Sequence, residues 1–290
     1  MISIIITAFK EPQVGRAIES FLNQNIKGKC ELIVSAPDEE TQSIVKKYKK
    51  VILFKDPGKG KALALNLLFK KAKGEKIILT DGDVYVSKNS VNELLKEFEN
   101  SAIGCVAGRP VPLEDKTTKY GYWANFLFDS AHRLRKKLLI KEKFFQSSGY
   151  LYMIKSGIVK EIPFDTADDA IIPHIISNKG YKTAYAEKAL VFVKNVDNWK
   201  DWISQKLRCA RAHENLGKYV DLSKNKRTKT FGNESRGILY LFSYPQTIKE
   251  LLWTFELIFA RLYLWGLVFF EVYVKKKYHE DNWKRVESAR

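Results

Sequence analysis

Strand and helix signals alternate from residue 3 to about residue 100, and this alternation confines the chain to an α/β fold of parallel βαβ units. Ser3-Ile4-Ile5-Ile6-Thr7 reads as a fully buried strand, followed by the loop Ala8-Phe9-Lys10-Glu11-Pro12. Val14, Ala17, Ile18, Phe21 and Leu22 then recur at helical spacing, which starts a helix near Pro12 or Gln13. Glu31 to Ser35 is a second strand, and Ile44, Val45 and Tyr48 mark the face of a second helix. A third strand is expected at Val51 to Phe54. The stretch Gly58-Lys59-Gly60-Lys61-Ala62-Leu63-Ala64-Leu65-Asn66 opens a further helix, which leads to the apolar strand Lys76-Ile77-Ile78-Leu79-Thr80.

That strand empties into Asp81-Gly82-Asp83. Two carboxylates at the carboxyl edge of a sheet lie where open α/β folds bind their ligands. Their hard oxygens suit Mg²⁺ or Mn²⁺, ions that bridge protein carboxylates to phosphate oxygens. The intervening glycine lets the backbone turn sharply and approach a ligand. An Asp-Gly-Asp triplet also occurs in ordinary surface turns, so two further segments matter. Pro163-Phe164-Asp165-Thr166-Ala167-Asp168-Asp169 sets three acids in a short loop ahead of a helix carrying Ile171, Ile172, Ile175 and Ile176. Trp202 to Arg211 reads as a helix on which Gln205 and Arg208, three apart, share a face.

In this order the segments resemble glycosyltransferase family 2, in the branch related to cellulose and hyaluronan synthases, over about residues 1 to 215. Thr7-Ala8-Phe9-Lys10-Glu11 stands where the family has its first nucleotide-binding loop, and Lys61 to Asn66 matches its Lys-Ala-x-Ala-Leu-Asn segment. Asp81-Gly82-Asp83 matches its DxD motif. Thr166-Ala167-Asp168-Asp169 stands at its Thr-Glu-Asp, with Gly180 at the spacing of the family's next glycine. Gln205-Lys206-Leu207-Arg208-Cys209 stands at its QxxRW. The chain departs from the pattern at three places. Ser35-Ala36-Pro37-Asp38 replaces the usual Asp-Asp-Gly-Ser turn and leaves Asp38 as the nearest carboxylate to read a base. Asp168 replaces a Glu, and Cys209 replaces the Trp associated with processive synthesis.

The resemblance implies a GT-A fold, a Rossmann-like and mostly parallel sheet flanked by helices, with a nucleotide-sugar donor. Thr7, Ala8, Phe9, Glu11, Asp38, Lys61 and Asp81 would then line the nucleotide site. Asp83, helped by Asp81, would hold Mg²⁺ or Mn²⁺. Asp169, beside Asp168, would be the general base that takes the acceptor hydroxyl's proton in an inverting displacement. Gln205 and Arg208 would meet the diphosphate and acceptor, since a planar guanidinium suits diphosphate oxygens. Asp168 and Asp169 also suit the first turn of the following helix, where acids favour the dipole. A sugar-nucleotide pyrophosphorylase shares such a core, but its glycine-rich amino-terminal loop is missing here. A non-catalytic binding protein of this fold would not need Asp81, Asp83 and Asp169 together.

The net charge of +17 calls for an anionic partner. No zinc-finger spacing or RNP-like aromatic strand is present, so nucleic acid is not the expected one. The three cysteines, Cys30, Cys105 and Cys209, lack close spacing and fit a reducing compartment. Met1 leads straight into the first strand, so no cleavable signal peptide is expected. Lys116 to Gln146 mixes aromatic and basic residues, as an interfacial amphipathic segment does and as a core helix with a basic outer face does equally. After a basic linker at 216–236, residues 237–290 form an apolar helical tail. Leu257 to Val274 approaches spanning length but contains Arg261 and Glu271, with Lys224 to Arg227 before it and Lys275-Lys276-Lys277 after it. Interfacial helices or a re-entrant hairpin at the cytoplasmic face are therefore expected ahead of a single span. The acceptor would be a lipid-linked sugar or a polysaccharide. The closing segment Trp283 to Arg290 also resembles the end of membrane-bound family members.

Overall fold

The fold is given by a computed structural model that describes residues 1–227, 230, 232 and 238–275. Gly237, Lys276, Lys277 and the closing Trp283 to Arg290 lie outside the described residues. One eight-stranded sheet runs in the order β3-β2-β1-β4-β7-β6-β8-β5. Its first half comprises β1 (Ile2–Thr7), β2 (Cys30–Ser35), β3 (Val51–Phe54) and β4 (Lys76–Asp81). These four strands are all parallel, as the alternation dictates. The other half comprises β5 (Val84–Val86), β6 (Ile103–Pro112), β7 (Leu151–Lys155) and β8 (Lys182–Val193). Here β7 runs antiparallel to β4 and β6, β5 runs antiparallel to β8, and only β6 and β8 pair in parallel. The sheet is therefore mixed rather than mostly parallel.

Both faces of the parallel half are covered, which explains the unbroken apolar runs in its strands. Ile4, Ile6 and Val34 point to one side with α1 (Val14–Leu22), α2 (Glu39–Val45) and α4 (Ser90–Glu97). Ile5, Ile33 and Ile77 point to the other, under α3 (Lys61–Phe69) and α6 (Asp168–Asn178). Helix α1 starts one residue past Gln13 and buries Val14, Ala17, Ile18 and Phe21, the stripe its spacing requires.

Register aligns the carboxyl ends of the parallel strands. Thr7 pairs with Ser35 on one side and Asp81 on the other, and Ser35 pairs with Phe54. The antiparallel β7 brings its amino end to the same edge, where Leu151 pairs with Thr80. One rim thus collects the ends of four strands and the start of a fifth.

Helices α5 (Lys119–Ile140), α7 (Trp199–Arg211), α8 (Ile238–Ser243) and α9 (Ile248–Phe269) form a second cluster. Tyr122, Trp123, Phe126 and Trp202 pack there with Tyr244, Leu257 and Ala260. The Tyr122 and Thr254 hydroxyls lie 2.6 Å apart, and Trp123 Nε1 donates to the Trp253 carbonyl at 2.8 Å. The first half of α5 is thus a core helix against the tail. Glu271, in the π-helical turn Phe270–Val274 after α9, pairs with Arg211 of α7. That acid therefore has a protein partner. Among the described residues, no helix is long and apolar enough to cross a membrane.

Candidate active site

The rim of the sheet assembles most of the residues singled out in the sequence. Asp81 ends β4, where Thr7 Oγ1 donates to its Oδ1 at 3.2 Å and Lys61 Nζ meets the same oxygen at 2.8 Å. Lys61 is the first residue of α3, entered through Gly60 at φ 104°, a left-handed conformation that glycine adopts without strain. The ammonium also lies 3.3 Å from Asp168 Oδ1, at the start of α6. Burial works against this charge, but Asp168, Asp81 and Asp169 outweigh it and hold the Lys61 pKa well above the ordinary lysine value. Lys61 therefore remains a fixed cation between the two acid groups.

Asp83 is exposed two residues beyond Asp81. The protein around it and the neighbouring Asp81 and Glu11 carboxylates push its pKa up to about 7. Gly82 is required by its surroundings, since a Cβ there would stand 2.7 Å from Ala8 Cβ. The Gly82 amide donates to the Thr7 carbonyl at 2.9 Å, so the first loop and the acid turn are laced together.

That loop is anchored outward as well. Lys10 sits at φ 48°, strained for a side-chain-bearing residue, and its amide donates to Asp38 Oδ2 at 2.8 Å. The other Asp38 oxygen caps α2 by accepting from the Thr41 amide at 2.9 Å. Burial raises the Asp38 pKa, but these backbone donors bring it below the usual carboxylate value. Asp38 is thus a clamp between two loops. The buried Glu11 accepts from the Gln13 amide at 2.9 Å, and its own amide donates to Thr41 Oγ1 at 2.9 Å. Phe9 is half-buried on the same loop.

Ala167 is the N-cap of α6, which places Asp168 and Asp169 in the first helical turn. Their partners separate them. Asp168 is held by Lys61 and by the Tyr152 hydroxyl at 2.6 Å. Asp169 Oδ2 accepts from the Gly149 amide at 3.0 Å, and the Asp169 carbonyl accepts from Ser147 Oγ at 3.1 Å. An amide-oriented carboxylate on a rigid helix start suits a general base.

Several rim residues went unnoticed in the sequence. Tyr150 lies within electrostatic reach of Cys209, Asp83, Asp81 and Asp169, and burial together with those groups raises its hydroxyl's pKa above the ordinary tyrosine value. Arg135 of α5 reaches Tyr185 and the field of Asp169. Asp56, buried beside β2, accepts from Ser35 Oγ and the Gly58 amide, both at 2.8 Å. Antiparallel pairing and tertiary contacts bring these residues to the rim, and no local motif announces them. Gln205 is half-buried and Arg208 exposed on α7, with Cys209 on the same helix approaching Tyr150. His213 is buried after α7, and its carbonyl accepts from Arg227 at 3.3 Å.

The residues fit a divalent cation shared with a ligand. Among the described residues, no group of three or more His, Cys, Asp or Glu is arranged to hold a metal alone. Mg²⁺ and Mn²⁺ are commonly held by one or two carboxylates with phosphate oxygens and water completing the shell. Asp83 and Asp81 are the carboxylates that would supply that half-site.

Comparison with solved structures places the fold. A mannosyltransferase, PcManGT from Pyrobaculum calidifontis in complex with GDP-Man and Mn²⁺, superimposes with a TM-score of 0.61 at 16% identity. The match covers 95% of this chain and 80% of that one. S. aureus TarS 1-349 in complex with UDP-GlcNAc matches with a TM-score of 0.52 at 13% identity, covering 87% of this chain and 78% of that one. No curated protein matches the sequence. The model of the family described as Glycosyl transferase family 2 matches residues 3–160, more than half of the chain. With an α/β core of the GT-A type, this chain belongs to glycosyl transferase family 2.

Proposed function

We propose that the protein is an inverting, metal-dependent glycosyltransferase that moves a sugar from a nucleotide-sugar donor, a UDP-sugar by preference, to a lipid-linked or polysaccharide acceptor. The observation that carries this reading is the rim itself. Lys61 holds Asp81 and Asp168 in place, Asp83 stands exposed two residues beyond Asp81, and Asp169 is oriented separately by Gly149. A divalent ion, when bound, would supply Lewis-acid neutralisation of the diphosphate leaving group.

The chain's own residues would do the rest. Ala8, Phe9 and Glu11 flank the base and ribose, and Asp38 keeps their loop in position. Lys61 sits against the nucleotide as a permanent cation. Asp83 and Asp81 offer oxygens toward the diphosphate, and Arg208 is the candidate to meet it from α7. Asp169 takes the acceptor hydroxyl's proton as that oxygen attacks the anomeric carbon from the face opposite the leaving group, which inverts the centre. Asp168 positions Lys61 and so keeps the two halves of the cleft in register.

Support for a membrane-borne acceptor comes from α9. Its inner face buries Thr254, Leu257, Ala260, Leu264 and Val268. Its outer face exposes Ile248, Leu252, Phe255, Phe259, Leu262 and Phe269 at helical spacing. An apolar stripe on the surface of a chain with net charge +17 suits adsorption to an anionic bilayer at the cytoplasmic face. A screen of UDP- and GDP-sugars for Mn²⁺-dependent donor hydrolysis tests the reading. Hydrolysis of one donor class that disappears with EDTA is expected, and inertness toward every donor with Mn²⁺ present would overturn it.

A further inference from the structure

Tyr152 carries a hydroxyl into a part of the core that a phenylalanine ring would fill equally well. It stands in β7, paired with Leu79 of β4 on one side and Ala107 of β6 on the other. Its ring is fully buried in the core cluster that holds Leu65, Leu79 and Ile171. The hydroxyl donates to Asp168 Oδ2 at 2.6 Å. A buried tyrosine hydroxyl ordinarily finds some partner, and a backbone carbonyl would satisfy it. Here the partner is a carboxylate of the candidate site, and the contacts continue beyond it.

Asp168 Oδ1 lies 3.3 Å from the Lys61 ammonium, which in turn lies 2.8 Å from Asp81 Oδ1. Thr7 Oγ1 donates to that same Asp81 oxygen at 3.2 Å. Side chains from β7, α6, α3, β4 and β1 are thus joined in one line, from Tyr152 to Thr7. Both Asp168 oxygens are engaged, so this carboxylate serves as a bracket. The Lys61 ammonium has three N–H donors, and Asp168 and Asp81 take two of them. The third is left for a ligand, and the Lys61 side chain is 21% exposed, enough to meet one. Where that donor points depends on where Asp168 stands. The terminal torsion of an aspartate is soft, so a carboxylate needs both its oxygens held to stay put.

We infer that Tyr152 is a positioning residue for the donor nucleotide: its hydroxyl fixes Asp168, and through Asp168 it aims the Lys61 ammonium at the diphosphate. Full burial keeps Tyr152 itself away from any ligand. This rests on the reading of the rim as a glycosyl-transfer site and adds to it a residue that acts from inside the sheet. A charge that meets a ligand keeps its geometry only when the groups behind it are locked by packing and hydrogen bonds. A tyrosine that merely satisfied its own hydroxyl would affect stability and leave nucleotide affinity alone. Coupling of that hydroxyl to nucleotide affinity through Asp168 separates the two roles.

Full-length wild type, Tyr152→Phe, Asp168→Asn and the double variant are titrated calorimetrically with UDP and GDP in the presence of Mn²⁺. Tyr152→Phe keeps the ring and removes only the hydroxyl. It should weaken nucleotide binding about tenfold, the scale of one lost hydrogen bond to a charged group. In the Asp168→Asn background the same substitution should cost less than about twofold, because the amide no longer holds the ammonium by its charge. Tyr122→Phe is the control, since it removes another buried hydroxyl, the one 2.6 Å from that of Thr254, and should bind nucleotide as the wild type does. Unchanged affinity in Tyr152→Phe, or equal losses with and without the Asp168 carboxylate, would overturn the inference. If Tyr152→Phe does not fold, Asp168→Asn alone decides: affinity about tenfold weaker supports the inference and unchanged affinity contradicts it. Wild-type protein that binds neither nucleotide overturns the transfer reading and this inference with it. Normal wild-type binding with an indifferent Tyr152→Phe overturns the inference alone, so the two failures are distinguishable.

Discussion

The Lys61 ammonium lies 3.3 Å from Asp168 Oδ1 and thereby commits that carboxylate to an ion pair, while the adjacent Asp169 is oriented by a backbone amide. Two neighbouring acids thus acquire different tasks from their partners. Asp169→Asn keeps the shape and the Gly149 hydrogen bond but cannot take a proton. It should lower sugar transfer by about 10²-fold or more with nucleotide affinity kept. Asp168→Asn should weaken nucleotide binding through a loosened Lys61. Steady-state kinetics with parallel calorimetry checks both, and the opposite pattern would exchange the roles.

Gly82→Ala places a methyl 2.7 Å from Ala8 Cβ, where the first loop meets the acid turn. It should cost about 1–3 kcal/mol of stability and reduce nucleotide affinity. A Cβ at Gly149 meets Asp169 no closer than 3.5 Å, so Gly149→Ala should leave the fold intact. Urea unfolding of the two variants, followed by nucleotide titration, compares them directly.

Removing the tail would expose Tyr122, Trp123 and Trp202, which pack with it. Point substitutions on the outer stripe are therefore the cleaner probe of the membrane. Leu252→Glu with Phe259→Glu changes two exposed side chains and should shift stability by no more than about 0.5 kcal/mol each. Co-sedimentation with anionic vesicles should fall sharply in this variant. Undiminished sedimentation would show that the stripe does not meet lipid.

His174 is fully buried beside Phe144, with ring centroids 4.5 Å apart, and burial lowers its pKa to about 4 from an ordinary 6.5. Between those values the unfolded chain takes up a proton that the native ring refuses, so stability falls as pH falls from about 6.5 toward 4. The contribution is on the order of 3 kcal/mol once both states are protonated. His174→Gln is expected to be less stable at neutral pH but to lose less on acidification by that amount. Urea midpoints at several pH values for both proteins measure the difference.

The parallel half of the sheet was legible because β1, β2 and β4 are apolar runs buried on both faces and the edge strand β3 is a short apolar run beside them. Asp81, Asp83 and Lys61 were legible for the same reason, standing where strand or helix signals begin or end. The mixed half was not, because β7 reaches β4 and β6 through long-range antiparallel pairing that Leu151 to Lys155 does not announce. Tyr150, Tyr152 and Gly149 owe their places at the rim to that strand. The tail was ambiguous because α9 has two apolar faces, one packed on α5 and α7 and one exposed. Hydropathy sums both, and the pairing of Glu271 with Arg211 is visible only in three dimensions.

The most direct test is calorimetric titration of UDP and GDP into wild-type protein and Asp83→Ala, with and without Mn²⁺. Asp83 stands at a strand end outside the core, so the variant should melt as the wild type does. Wild-type protein should bind one of the nucleotides only with Mn²⁺, and Asp83→Ala should lose that binding. Equal affinity in the two proteins, or wild-type binding indifferent to Mn²⁺, would contradict the metal-dependent transferase.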